Sequence, residues 1–208
     1  MSDERETWIR HSYNLAVFTA LFHGLQFAAS LLLWMNTGSA AVLAFGLDAV
    51  MSGGAVGIVG CRIATLTRRG GSPPAFWGRG ERVVGYGYML AAVVTFYLGA
   101  SMLWGGERPA RNILGIVLAA VSMLIIPIIG SYMKTLAVEL RSQTLKSAAV
   151  FTFGNSYLSM VLLIALLLNT GMDLRWGDPL GALVMFPFMA QKGIQILLEE
   201  GKHEYVED

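Results

Sequence analysis

The sequence predicts an all-α integral membrane fold of six transmembrane helices, and three observations carry the prediction. Of the 208 residues, 55% are hydrophobic and 14% charged, whereas ordinary soluble domains carry about 25% charged residues. The apolar residues arrive in six runs, each close to the ~20 residues that cross a bilayer, rather than as stripes over a soluble core. Lysine and arginine gather beside alternate ends of those runs, the signature of a chain threaded back and forth through a membrane.

The first eleven residues are polar. The run that follows, 13–35, is longer than a signal-peptide core and lacks a small-x-small cleavage pattern, so it is expected to stay as the first helix. Asn36-Thr37-Gly38-Ser39 closes it with turn chemistry, and the second run covers 40–62. Gly70-Gly71-Ser72-Pro73-Pro74 separates that run from the third, 83–105. Gly105-Gly106-Glu107-Arg108-Pro109 leads to the fourth, 112–134. The fifth spans 147–169 and the sixth 179–198, with Gly177-Asp178-Pro179 between them. Pro127 and Pro187 fall inside the fourth and sixth runs, where membrane helices tolerate proline and a kink is expected. No run alternates like an outer-membrane strand. The organisation expected is a cytoplasmic segment at 1–12, a membrane domain at 13–199 and an acidic tail at 200–208, read as a solvated end, with weak metal capture through His203 and its neighbouring carboxylates as the alternative.

With the N-terminus inside, Arg5, Arg10, Arg62, Arg68, Arg69, Arg79, Arg82, Lys134, Arg141, Lys146, Lys192 and Lys202 are cytoplasmic, while Arg108, Arg111 and Arg175 lie outside. Twelve against three places both termini on the cytoplasmic side. The localisation expected is a bacterial or archaeal cell (inner) membrane. Trp34, Trp104 and Trp176 fall at outer ends of runs and Trp8 and Trp77 at inner ends, as interfacial anchors do. A net charge of +1 gives no reason for a nucleic-acid partner, and the single Cys61 excludes an intrachain disulfide.

Asp48 stands in the second run, and in this reading it is the only formal charge well inside the membrane. A carboxylate at that depth costs a few kcal/mol to insert, about 2.5–3.5 on translocon scales, which marks it as a functional candidate. The alternative is a protonated Asp48 hydrogen-bonded to a neighbouring helix. Ser52, one turn on, shares its face. Ala49, Gly53, Gly57 and Cys61 form a small-residue stripe on another face, suited to close helix packing. His23 is the only histidine inside a run. Helical rise puts it about 15 Å above the inner end and Asp48 about 12–13 Å below the outer end. Those depths allow a His23–Asp48 hydrogen bond or a shared metal, and a satisfied core histidine is the alternative.

Several segments together resemble the cation diffusion facilitators, exporters of zinc and related divalent cations. Thr37-Gly38-Ser39, Leu43-Ala44 and Asp48 are similar to the start of that family's second helix. Trp77-Gly78-Arg79-Gly80 resembles its aromatic-Gly-His-Gly approach to helix three, Ser147-Ala148-Ala149-Val150 the opening of helix five, and Trp176-Gly177-Asp178-Pro179-Leu180 the approach to helix six. The resemblance implies a six-helix bundle with a transport site of Asp and Asp at i, i+4 on helix two and His (or Asp) and Asp at i, i+4 on helix five. Those positions are Asp48, Ser52, Phe151 and Asn155 here, so one of the four ligands keeps its kind. Phe151 binds no metal, Ser52 is a poor zinc ligand, and the Asn155 amide oxygen suits harder cations. The resemblance implies a cytoplasmic metal-sensing domain as well, whereas the sixth run is followed by a short acidic tail, so such a domain is not expected here.

Two functions follow and stay open on the sequence. One is a transporter with an altered cluster of Asp48, Ser52 and Asn155, joined by His23 or Thr152, whose cargo is a divalent cation, zinc-like or harder, or else another cation or a proton-linked small solute. The other is a scaffold, accessory subunit or regulator that kept the fold and lost transport. The bilayer is the partner expected in both, with a homodimer or a second membrane protein open beside it. An enzyme is not expected: no nucleophile–base pair or phosphate loop is visible, Gly85-Tyr86-Gly87 lacks a strand-turn-helix setting, and Gly78-Arg79-Gly80 reads as a surface loop.

Overall fold

A computed structural model describes residues 2–69 and 76–199 of the chain. The turn at 70–74 and the tail residues Glu200, His203, Glu204, Glu207 and Asp208 lie outside the described residues. Six helices make up the described structure: α1 (Ser2–Thr37), α2 (Ala40–Arg69), α3 (Phe76–Gly105), α4 (Ile113–Glu139), α5 (Gln143–Leu166) and α6 (Gly177–Glu199). Each contains a stretch long and apolar enough to cross a membrane, and every one overlaps a run read from the sequence. The described residues are all-helical, and their six long apolar helices fit a multi-pass integral membrane protein. Helix α3 begins at Phe76, so the segment 78–80, expected as a surface loop, is helical. A Cβ on Gly80 would stand 3.1 Å from Ile58 Cδ1, so glycine there lets the start of α3 lie against α2.

The helices pack as three close pairs, α1 with α2, α3 with α6 and α4 with α5. Helix α2 also touches α3, α5 and α6, which makes it the centre of the bundle. Its pairing with α1 follows an antiparallel seven-residue repeat. A Cβ on Gly46, Gly53 or Gly60 would meet the Cβ of Ser30, His23 or Ala16 at 2.7, 3.0 and 3.1 Å, respectively. A seven-residue period on both helices is the geometry of gently crossed helices, here brought close by glycine. The small-residue stripe expected at 49, 53, 57 and 61 is therefore corrected. Gly53 belongs to the seam, but nothing lies within 4 Å of a Cβ on Gly57, and Cys61 is exposed.

Helix α1 turns its polar side inward. Ser12, Ala16, Thr19, His23, Gln26 and Ser30 are buried, while Phe18, Leu21, Leu25, Leu32 and Met35 are exposed. Lipid is as apolar as leucine, so the apolar face faces the bilayer and the polar groups seek partners within the protein. At the end opposite the start of α1 and the end of α6, side chains tie the helix starts together. Gly38, at a left-handed φ of 70°, ends α1. Asp178, in the first turn of α6, accepts the backbone N–H of Ala40 at 2.8 Å and the Ser39 hydroxyl. A carboxylate at those free amides also complements the dipole of α2. Asn112 caps α4 through Gly115 N at 2.7 Å. Helix α5 widens into one π turn over Leu167–Gly171 before the bend to α6.

Candidate functional site

The site is built on α2. Asp48 lies eight residues from the helix start, about 12 Å into the membrane by helical rise. Its carboxylate is fully buried, and groups from three helices close on it. Lys192 Nζ of α6 is 2.7 Å from Oδ1. Asn155 Nδ2 of α5 donates to Oδ2 at 2.7 Å, and Ser52 Oγ, one turn along α2, reaches the same oxygen at 3.4 Å. Tyr88 of α3 is fully buried, with its hydroxyl 2.7 Å from Ser52 Oγ and its ring 5.5 Å from Lys192 Nζ. Four helices thus converge on one ion pair.

Lys192 corrects two readings. Asp48 is not the only formal charge within the membrane, and Lys192 is not a cytoplasmic surface cation: it is 7% exposed and bonded to the buried carboxylate. The cause is helical side-chain direction. Lys192 lies six residues before the end of its span at Leu198, within snorkelling reach of the surface. Side chains on a helix lean toward its N-terminus, however, and in α6 that direction leads into the membrane, toward the level of Asp48. Helix α5 clears the path: a Cβ on Gly154 would stand 2.9 Å from Lys192 Cε.

The residues singled out in the sequence divide into two groups. Asp48, Ser52 and Asn155 come together. His23 does not join them through a hydrogen bond. It packs on Gly53, five residues past Asp48 and so about 7.5 Å further along α2. Its Nδ1 lies 2.8 Å from Gln26 Oε1, and Gln26 Nε2 donates to Ser122 Oγ of α4 at 2.7 Å. Because the Gln26 carbonyl can only accept, Nδ1 carries the proton, and the buried Nε2 is left without a partner. The His23–Asp48 hydrogen bond expected as one option is not made. Thr152 is turned away as well, donating to Ala148 O at 2.8 Å. Phe151 is half-buried against the apolar core.

Lys192 and Tyr88 were missed, although a signal for both was present. Ala182, Met185, Met189, Lys192 and Ile196 fall on one helical face, and so do Val84, Tyr88, Ala91 and Thr95; all nine are buried. Lys192 thus stood in a core stripe. A second polar pair, Arg62 and Glu81 at 2.6 Å, joins α2 to α3 nearer the basic end.

Chemically, the centre is a neutral ion pair ringed by oxygen and amide groups. Among the described residues, no three His, Cys, Asp or Glu side chains are grouped to hold a metal ion. Asn155 Oδ1 is buried with no hydrogen-bond partner. These features define a class: an integral membrane protein whose described residues form six helices, with a buried carboxylate–ammonium pair at the central one. Comparison with protein-family models gives no matching family, and comparison with curated proteins gives no match.

Proposed function

We propose that this chain is a cation transporter of the general type of the cation diffusion facilitators, working through an altered site at Asp48. The observation that carries the reading is the bond between Asp48 on α2 and Asn155 on α5. These are two of the positions where the resemblance expects helices two and five to supply ligands, and they meet at a depth that substrate sites of transporters commonly occupy. Residues held this deep in the bilayer cost energy to insert and mark ion pathways. Zinc is disfavoured as cargo, because Lys192 places an ammonium where a metal would sit and no thiolate or imidazole bonds to Asp48. The orientation that fits the basic bias has both termini in the cytoplasm.

A second reading has its own support. The network through Asp48, Lys192, Asn155, Ser52 and Tyr88 ties four helices together, as a structural core in a non-transporting scaffold or subunit would. Flux through proteoliposomes separates the two. Purified wild-type protein and Asp48→Asn would be loaded with a panel of monovalent and divalent cations and followed by isotope or dye. Transport predicts saturable flux that Asp48→Asn abolishes. Absence of flux for every cation, with folding intact, would sink the transporter reading in favour of the scaffold.

A further inference from the structure

The hairpin joining α4 to α5 carries basic side chains that the fold leaves without partners. Helix α4 ends in a Schellman motif: Ser142 N–H donates to Ala137 O at 3.0 Å, and Arg141 N–H to Val138 O at 3.2 Å. Ser142 then caps α5 through Leu145 N at 3.3 Å. The left-handed position of that motif, at φ 49°, is held by Arg141, where glycine is usual because a side chain crowds the backbone. The other described non-glycine residue with such a φ is Asp173, and it is paired with Arg108. Arg141 is exposed and makes no ion pair among the described residues. A strained position held by a charge with no protein partner points to a partner outside the chain.

Two lysines flank it. Lys134 lies seven residues before Arg141 and Lys146 five after; both are exposed and form no ion pair among the described residues. Their helices meet at Gly130, where a Cβ would stand 3.3 Å from the Phe153 ring. Gly130, Lys134 and Val138 share one face of α4, and Lys146, Val150 and Phe153 share one face of α5. The two faces adjoin, so the cations stand at the foot of a groove in which Val138, Val150 and Phe153 are exposed. The other side of the hairpin is closed, with Trp8 and Ile9 of α1 packed on Ala137, Leu140 and Leu145. Glu139, five residues past Lys134, falls about 140° around the helix and off the groove. The α4 span has 27 residues, about 40 Å by helical rise against a hydrocarbon core of about 30 Å. Lys134, five residues before its end, therefore stands at the edge of the hydrocarbon.

We propose that this hairpin binds one acidic phospholipid, its phosphodiester held by Arg141, Lys134 and Lys146 and one acyl chain lying over Val138, Val150 and Phe153. The site stands whether or not the chain transports. Charge selects the headgroup: three unpaired cations match a lipid with a net negative charge, whereas a zwitterionic headgroup brings its own ammonium. Arginine adds geometry, since its planar fork takes two phosphate oxygens together. Depth selects lipid over free phosphate, because a hydrated ion does not reach the edge of the hydrocarbon at Lys134. Lys146 is one turn into α5, near the helix end whose dipole favours an anion.

The test uses the purified full chain in neutral detergent. It is titrated with phosphatidylglycerol, with phosphatidylcholine of the same chains, or with inorganic phosphate, and followed by thermal melting and native mass spectrometry. The expected result is saturable stabilisation by phosphatidylglycerol, with one lipid retained per chain, and none by phosphatidylcholine or phosphate. Lys134→Gln and Lys146→Gln should each weaken binding about fivefold, and Arg111→Gln, at the other end of the bundle, should leave it unchanged. Arg141→Gly separates binding from folding. It relieves the backbone, so the lipid-free melting temperature should hold or rise while phosphatidylglycerol binding falls about fivefold. Equal stabilisation by phosphatidylcholine, phosphate alone matching the lipid, or no binding of phosphatidylglycerol overturns the proposal. So does an Arg141→Gly protein that keeps full affinity or melts lower without lipid.

Discussion

Replacing Lys192 by methionine should expose how much the intramembrane pair contributes to folding. The side chains have similar volume, so the change removes a charge and a hydrogen bond while leaving the space beside Gly154 filled. At the observed 2.7 Å, two unit charges attract by about 6 kcal/mol at an effective dielectric of about 20. Desolvation of both groups offsets much of that, and breaking one side of such a pair in a soluble core costs about 3–5 kcal/mol. In lipid the unfolded helices find other polar partners, which lowers the measured value. A double-mutant cycle of Lys192→Met and Asp48→Asn should therefore give a coupling energy of about 2–3 kcal/mol, with the double variant more stable than the sum of the single losses implies. The assay is reversible unfolding in mixed detergent micelles, followed by tryptophan fluorescence. Additivity to within about 0.5 kcal/mol would refute the reasoning, because it would mean that the two charges do not meet in the folded protein.

The α1–α2 seam gives a contrast between two glycines on one helix. Gly46→Ala should cost about 1–3 kcal/mol in the same assay, since its methyl would sit 2.7 Å from Ser30 Cβ, whereas Gly57→Ala meets open space and should be neutral or slightly stabilising. Asp178→Ala should cost about 1–2 kcal/mol and speed hydrogen exchange at the Ala40 amide, because it removes the carboxylate that caps α2 from another helix. Asp178→Asn should recover part of the loss. Outside the membrane, the hydrogen bond from Arg108, helped by the charges of Arg108 and Arg111, holds Asp173 below the usual carboxylate range. A lowered folded-state value stabilises the fold above the unfolded carboxylate value of about 4 and loses that effect as pH falls through the folded value. Melting curves of wild type and Asp173→Asn should then differ at neutral pH and converge in acid; curves that stay parallel down to acid would show that the loop pair does not form.

The resemblance segments illustrate how sequence and structure divide the work. Thr37-Gly38-Ser39 and Gly177-Asp178 are far apart in the chain, and each alone reads as turn chemistry. In the fold they become one joint, with Asp178 bonded to Ser39 and to the first amides of α2. Asp48, Ser52 and Asn155 were also legible as candidates, because polar residues inside long apolar runs stand out. His23 was legible for the same reason, but depth alone could not show that its ring bonds to Gln26, on its own helix.

Span number and the choice of Asp48 are properties of the sequence itself. Each depends on a local quantity: apolar length against bilayer thickness, and the cost of a charge within an apolar run. What surrounds Asp48 is a tertiary matter. Lys192 lies 144 residues away and within two turns of a helix end. Whether it reaches out to water or back into the bundle depends on helix direction, the clearance at Gly154 and the Tyr88 ring. Rotation and pairing of whole helices set those features, so the fold turned an isolated carboxylate into a neutral pair.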